Sequence, residues 1–371
     1  MQYRLYMYEK ELKGCVILPS SKSVSNRMLI LDSLAEKRGI LTNLSESDDT
    51  RVLEEALKSK EGIIDIGHAG TAMRFLTAYL SIRPGKYILT GSERMKQRPI
   101  AKLVGALNEL GAGIEYLENP GYPPLSIRGK HIDGGEIRVD SSISSQYISA
   151  LMMIGPALKN GLAIHLENEV VSSSYIHLTK NLMLDLGIPV SIGGTKIEIP
   201  FQSFKGIDMY IEGDWSAASY WYALAALSER AELEVKGLQR DSYQGDSVLP
   251  ELFLALGVET IYRHDGVLLR KTPGSTDKFE FDFSDNPDLV QTFVVVCALR
   301  DIPFYLTGTR TLKIKETDRI FALQTEMKKM GFLLESDPGG EWLSWDGGKT
   351  TDSLEAIQIE TYQDHRMAMA F

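Results

Sequence analysis

The chain repeats one pattern at a long, nearly fixed interval. Four amphipathic helix-like segments, Ile100–Leu110, His177–Leu186, Val248–Leu256 and Arg319–Met330, each stop at a glycine: Gly111, Gly187, Gly257 and Gly331. Those glycines lie 76, 70 and 74 residues apart, and a β-like run follows each. A glycine just past a helix permits the left-handed conformation that closes the last turn. Segments apolar on almost every face recur on the same beat: Gly70–Leu80, Ser144–Leu158, Asp214–Leu227, Pro287–Leu299 and one opening at Asp364. Lys22–Leu34 supplies an earlier copy, making six. A helix apolar all round is buried on most sides. A period this long marks a supersecondary unit that cannot bury its apolar face alone. Six copies exceed one closed body, so two domains of three units each are expected, in the α/β (α+β) class. The pattern leaves the chain's route between them open.

Size agrees with that expectation. At 371 residues, 43% hydrophobic and 24% charged, the chain can bury large cores. Its net charge of −10 argues against a nucleic-acid binder, which carries a basic face. Cys15 and Cys297 lie far apart in apolar runs and are expected to be core thiols, neither a disulfide nor nucleophiles. Arg4, Glu9, Lys10, Glu11 and Lys13 interrupt the first thirteen residues, which leaves no signal-peptide core. The longest apolar runs are too short to span a membrane, and a cytoplasmic location is expected. The sequence stops at Phe371, seven residues past Asp364 and inside the sixth buried helix. So short an apolar helix is not expected to end there, and the sequence reads as a truncated piece.

The chemistry gathers at helix starts. Leu312–Arg319 reads Leu-Lys-Ile-Lys-Glu-Thr-Asp-Arg, follows a strand-like run (Pro303–Thr307) and opens a helix near Asp318. A helix N-terminus favours anions through its unpaired N–H groups and positive dipole end. Lys313, Lys315 and Arg319 add charge there, and Glu316 among them is placed to hold or move a proton. Comparable polar starts occur at Lys22–Arg27, His68–Arg74, Ser144–Tyr147, Asp214–Ser216, Asn286–Asp288 and Asp364–Arg366, with further loops at Arg94–Pro99 and Ser172–Tyr175. Singly these read as caps and structural contacts, Arg74 with Asp214 for example. Together they place about half a dozen cations at like points of an acidic protein, which suits ligands bearing several negative charges. There is no P-loop, dinucleotide fingerprint or nucleophile elbow. The six histidines lack ligand spacing, so no metal is expected.

Seven runs give the chain a likeness. Lys22-Ser-Val-Ser-Asn-Arg27, Ala69-Gly-Thr-Ala-Met-Arg74, Arg94-Met-Lys-Gln-Arg-Pro-Ile100, Ser144-Ser-Gln146, Glu212-Gly-Asp214, Lys315-Glu-Thr-Asp-Arg319 and Asp364-His-Arg-Met-Ala-Met369 occur in this order from end to end. The chain thereby resembles the 5-enolpyruvylshikimate-3-phosphate synthase family. The resemblance implies a two-domain inside-out α/β barrel, each domain built of three β-α-β-α-β-β units, the last truncated here. It implies domain I from residues 1–19 plus 214–371, domain II from 20–213, and an active site in the cleft between them. The implied reaction moves the enolpyruvyl group of phosphoenolpyruvate (PEP) to the 5-hydroxyl of shikimate 3-phosphate, releasing phosphate without a cofactor. By similarity Lys22, Gly70, Arg98, Gln146, Arg319 and Arg366 hold PEP. Lys22, Ser23, Arg27, Ser144, Ser145, Gln146, Ser172, Tyr175, Asp288 and Lys315 hold shikimate 3-phosphate. Asp288 is the base at the 5-hydroxyl, and Glu316 the proton shuttle at C3, with Lys22 sharing that work. A monomer without nucleic-acid or membrane partners is implied.

The departures are few. His68 stands where the family usually has asparagine, Phe75 where proline is common, and Thr311 replaces an asparagine that contacts the shikimate ligand. Glyphosate mimics PEP in this family, and Gly70 leaves room for it. A late lysine that contacts PEP has no counterpart. The related UDP-N-acetylglucosamine enolpyruvyl transferases place a reactive cysteine in the loop matching Arg94–Pro99, which has none. A non-catalytic anion-binding relative has no need of Asp288 and Glu316.

Overall fold

The computed structural model describes residues 10–140, 144–168, 172–350 and 357–371. Two compact units emerge, one from Ser20–Ile211 and one from the N-terminal stretch through Pro19 joined to Glu212–Phe371. Among the described residues no helix is long and apolar enough to cross a membrane.

Among its described residues the Ser20–Ile211 unit holds six α-helices: α1 (Lys22–Leu34), α2 (Asp48–Lys58), α3 (Gly70–Ile82), α4 (Ala101–Glu109), α5 (Ser145–Ile154) and α6 (Ser173–Asp185). Its two four-stranded sheets share one topology. Gly62–Asp65 runs parallel to Gly85–Thr90, with α3 between them in sequence, and the hairpin of Gly113–Tyr116 and Leu125–Gly129 completes the sheet antiparallel. Gly135–Asp140, Leu162–Glu167, Ser191–Gly193 and Lys196–Ile199 repeat it around α5. In a third copy α1 leads to Leu41–Thr42, whose parallel partner, Met209–Tyr210, comes from the far end of the unit. Chain entry and exit therefore meet at one pair of strands. This copy has no hairpin, since only residues 59–61 separate α2 from the next strand.

The second unit holds α7 (Trp215–Leu227), α8 (Leu249–Ala255), α9 (Val290–Leu299), α10 (Arg319–Lys329) and α11 (His365–Ala370). Phe279–Asp282, Phe304–Thr307, Glu335–Ser336 and Trp342–Trp345 form the same sheet around α9. So do Glu11–Ile17, Arg230–Lys236, Val258–Arg263 and Gly266–Lys271 around α7, except that all of Ser20–Ile211 is inserted between the first strand and its helix.

The helix-ending glycines adopt the expected conformation. Gly111, Gly187, Gly257 and Gly331 have φ of 96, 73, 76 and 89°. After three of them the next N–H reaches five residues back, Ala112 to Leu107, Ile188 to Met183 and Phe332 to Met327, at 2.9–3.0 Å. These bonds satisfy carbonyls that a helix end leaves open and aim the chain into the following strand. The nearly all-apolar helices are buried as their composition demands. α1, α3 and α5 pack on one another around Met28, Met73 and Ile148, all fully buried. α9 packs against α7 and α11, and Phe253, Phe279 and Phe283 surround Phe293 with ring centroids 4.8–5.3 Å apart. Each such ring contact adds about 0.5–1.5 kcal/mol beyond area burial.

Some boundaries differ from expectation. The segment expected to be helical over Ser144–Leu158 leaves the α-form at Ile154, where Gly155–Ala157 tightens to a 3-10 turn containing Pro156. A 3-10 turn at Gly245–Val248 precedes α8, whose Pro250 sits in the first turn where its missing N–H costs nothing. Pro287 and Asp288 precede α9 in a turn closed by Leu289 N–H to Asn286 C=O at 3.0 Å. One thiol is corrected. Cys15 is exposed, because its strand is a sheet edge whose odd residues face solvent. Cys297 is buried, and burial pushes its thiol pKa up.

Candidate active site

In the second unit the starts of α9, α10 and α11 converge on Arg319. Asp318 caps α10 by accepting the Phe321 N–H at 3.1 Å, which places Arg319 in the first turn, 1% exposed. Its guanidinium serves three carboxylates. Nε donates to Asp364 Oδ2 at 2.8 Å and Nη2 to Asp364 Oδ1 at 3.3 Å. Nη2 also donates to Glu316 Oε2 at 2.9 Å, and Nη1 to Asp288 Oδ1 at 3.1 Å. Asp288 accepts Arg366 Nη2 on its other oxygen at 3.0 Å, and Lys315 Nζ lies 3.8 Å from Oδ1. Asp364 caps α11 through the Arg366 N–H at 2.8 Å. Asp288, Lys315, Glu316, Arg319 and Arg366 are thus brought together. Burial lowers the Lys315 ammonium pKa against the pull of Asp288. Burial works the same way on Arg319, but Glu316, Asp288 and Asp364 outweigh it and raise that pKa.

Sequence reasoning missed Asp246. It lies in the turn before α8, where a short polar stretch reads as an ordinary helix start. It accepts the Ser216 hydroxyl from the first turn of α7, and Asn286 Nδ2 at 3.3 Å. Burial, and then the Asp288 charge, raise its pKa to about 6. In the 3-10 turn Arg310–Ile314, the Thr311 hydroxyl is buried with no hydrogen-bond partner among the described residues.

In the Ser20–Ile211 unit, Ser21 caps α1 by accepting the Val24 N–H, and Lys22 opens that helix. Lys22 Nζ lies 3.9 Å from Asp49 Oδ2 in the first turn of α2. Asp49 has its buried Oδ1 without a hydrogen-bond partner among the described residues. Gly70 begins α3 without a side-chain cap. A Cβ at Gly70 would stand 2.5 Å from Arg98 Nη1, so the two residues touch. The Pro99 carbonyl, next to Arg98, accepts the Tyr147 hydroxyl at 2.5 Å and Arg74 Nη2 at 3.4 Å. Arg74 also donates to Gly70 C=O at 2.9 Å. These bonds brace the Gly70–Arg98 pair.

The remaining predicted residues of this unit lie on the starts of α1, α5 and α6. Ser144 caps α5 through the Gln146 N–H at 3.3 Å, and Gln146 Nε2 reaches Thr71 Oγ1 on α3 at 3.4 Å. Ser145 is buried, and Ser172, just before α6, is left-handed at φ 57°. Arg27 is the most embedded. It donates to Thr179 Oγ1 at 2.7 Å, Ser23 C=O at 3.0 Å, Ser149 Oγ at 3.1 Å and Tyr175 C=O at 3.5 Å. It also stacks on the Phe75 and Tyr175 rings at 5.3 and 5.6 Å. Burial lowers its pKa to about 10. The structure makes Arg27 a linchpin of α1, α5 and α6, with at most one N–H left for a ligand.

The second unit thus gathers Lys315, Arg319 and Arg366 on Asp288, three of the cations that the sequence singled out. Comparison with known proteins names the arrangement. The family model for EPSP synthase (3-phosphoshikimate 1-carboxyvinyltransferase) matches residues 7–62 and 53–371. A 3-phosphoshikimate 1-carboxyvinyltransferase of Bacteroides fragilis is 52% identical over 362 residues, covering 97% of this chain and 88% of the relative. The chain belongs to the EPSP synthase family. Another member, from a Sulfurovum species, is 37% identical over 400 residues, with 97% and 89% covered. A solved EPSP synthase from Acinetobacter baumannii shares the mixed α/β fold at a TM-score of 0.72 and 20% identity, covering 97% of this chain and 88% of that one.

Proposed function

We propose that this chain transfers the enolpyruvyl group of PEP to the 5-hydroxyl of shikimate 3-phosphate and releases phosphate, as a 3-phosphoshikimate 1-carboxyvinyltransferase. The observation that carries the reading is Asp288, held between Arg319 and Arg366 with Glu316 on the same guanidinium. Two carboxylates are there for proton transfer, and three cations for anionic substrates.

The chemistry follows from the substrates. The enol phosphate carbon C2 of PEP accepts an oxygen nucleophile only as C3 gains a proton. In this reading Asp288 takes the proton of the 5-hydroxyl as that oxygen bonds to C2, while Glu316, assisted by Lys22, delivers one to C3. The product is a tetrahedral intermediate carrying a methyl group and the phosphate. Removing a methyl proton restores the double bond and expels phosphate with its bonding electron pair. Lys22, Gly70, Arg98, Gln146, Arg319 and Arg366 hold PEP. Lys22, Ser23, Arg27, Ser144, Ser145, Gln146, Ser172, Tyr175, Asp288 and Lys315 hold shikimate 3-phosphate. Arginine suits the first set because its planar fork pairs with a carboxylate or phosphate at two points.

The same reading assigns a two-domain inside-out barrel of three units per domain. It also assigns a cytoplasmic monomer that needs no cofactor, nucleic acid or metal. The four like sheets and the insertion of Ser20–Ile211 after Pro19 support that architecture. Phosphate release from PEP tests the function. It is expected only when shikimate 3-phosphate is present. Release with UDP-N-acetylglucosamine instead, or with neither acceptor, overturns the assignment.

A further inference from the structure

The segment after residue 357 carries Asp364 and Arg366, yet its own backbone is a poor support for them. Tyr362 and Gln363 are successive non-glycine residues at φ 54 and 55°, a left-handed conformation disfavoured for side chains with a Cβ. What holds the segment is α10. Lys329 Nζ donates to Gln358 C=O at 3.2 Å. Glu326 accepts the Glu360 N–H at 3.1 Å on one oxygen and the Tyr362 hydroxyl at 2.8 Å on the other. Arg319 then grips Asp364 at two points. The strap thus runs antiparallel along the helix, read off in order by residues 329, 326 and 319. Positions 319 and 326 are seven apart, two turns of one face.

Glu326 has no place in the chemistry described above, although it is a fully buried carboxylate. Burial opposes its ionisation, but Lys329, Tyr362 and the Glu360 N–H outweigh that and lower its pKa. Those partners account for its charge, and two of the three lie on the strap. We propose that Glu326 and Tyr362 are positioning residues: their hydrogen bond sets the register of residues 358–364 on α10, so that Arg366 meets Asp288 and the substrate anion. This rests on the reading that Arg319 and Arg366 hold PEP.

Tyr362→Phe removes one hydroxyl and leaves the ring, and Glu326→Gln removes the charge. In both, amide hydrogen exchange is expected to quicken over residues 358–368 while the rest of α10 keeps its protection. The KM for PEP is expected to rise about 3- to 10-fold in Tyr362→Phe, the scale of one lost hydrogen bond, with the KM for shikimate 3-phosphate changing less. Arg366→Lys separates the two layers of the argument. If it raises the PEP KM and Tyr362→Phe does not, the positioning role fails. If Arg366→Lys also leaves the PEP KM unchanged, the assignment of Arg366 fails and the positioning role with it. Equal changes in both KM values together with a lowered melting temperature mark a structural bond only, and likewise overturn the proposal. Should Glu326→Gln fail to fold, Tyr362→Phe alone decides.

Discussion

Arg319 and Asp364 meet at two points, Nε to Oδ2 at 2.8 Å and Nη2 to Oδ1 at 3.3 Å, both side chains being almost wholly buried. The pair joins the first turn of α10 to the first turn of α11. Removing one partner of such a pair strands a charge in the core. Arg319→Ala is therefore expected to lower unfolding stability by about 3–5 kcal/mol, measured by chemical denaturation. A loss under about 1 kcal/mol would show that Asp364 finds solvent or another cation.

Glu316 sits three residues before Arg319 and bonds its Nη2. Glu316→Gln keeps an oxygen for that bond and deletes the acid. Turnover is expected to fall about 10²-fold or more, the scale of a lost general acid–base group. Near-normal kcat in steady-state assays removes Glu316 from the mechanism.

Gly70 and Arg98 leave no room between them, since an added Cβ meets Nη1 at 2.5 Å. Gly70→Ala is expected to push the guanidinium aside, because the far end of a flexible side chain yields before the helix does. The KM for PEP should rise about tenfold, as for a weakened charged hydrogen bond. Inhibition by the PEP mimic glyphosate should weaken in the same variant. An unchanged PEP KM would take Arg98 out of the PEP site.

Asp246 makes stability depend on pH in a stated direction. Its folded pKa is raised from 3.8 to about 6, so the folded protein holds a proton that the unfolded chain releases. Stability from this group is fullest at low pH and declines as pH rises through that window. Asp246→Asn abolishes the titration. The variant is expected to gain on the natural protein between about pH 4 and pH 7.5, by on the order of 3 kcal/mol in urea unfolding. A difference that does not change with pH shows that the carboxyl is not raised.

The sequence was most legible where one residue type has one physical use. The glycines at 111, 187, 257 and 331 announce helix ends because only a residue without a Cβ enters the left-handed region cheaply. The stretch of α9, apolar apart from Gln291 and Thr292, announces burial for a similar reason: almost every face of it is driven out of water. Boundaries were less legible. Pro156 and Pro250 act through the exact turn they occupy, which periodicity does not resolve. Cys15 was misplaced because an apolar run on a sheet-edge strand looks like a core strand until its neighbours are known.

The sequence by itself determined the family and the recurrence of glycine-ended helices, since these depend on local periodicity and short runs. The partners of those residues were decided only by the tertiary structure. Arg27 reaches across more than 120 positions to Ser149 and 152 to Thr179, and Asp246 lies 40 residues from Asn286. A charge in the interior takes its pKa and its role from whichever groups folding brings within hydrogen-bond range, and no spacing along the chain specifies that distance.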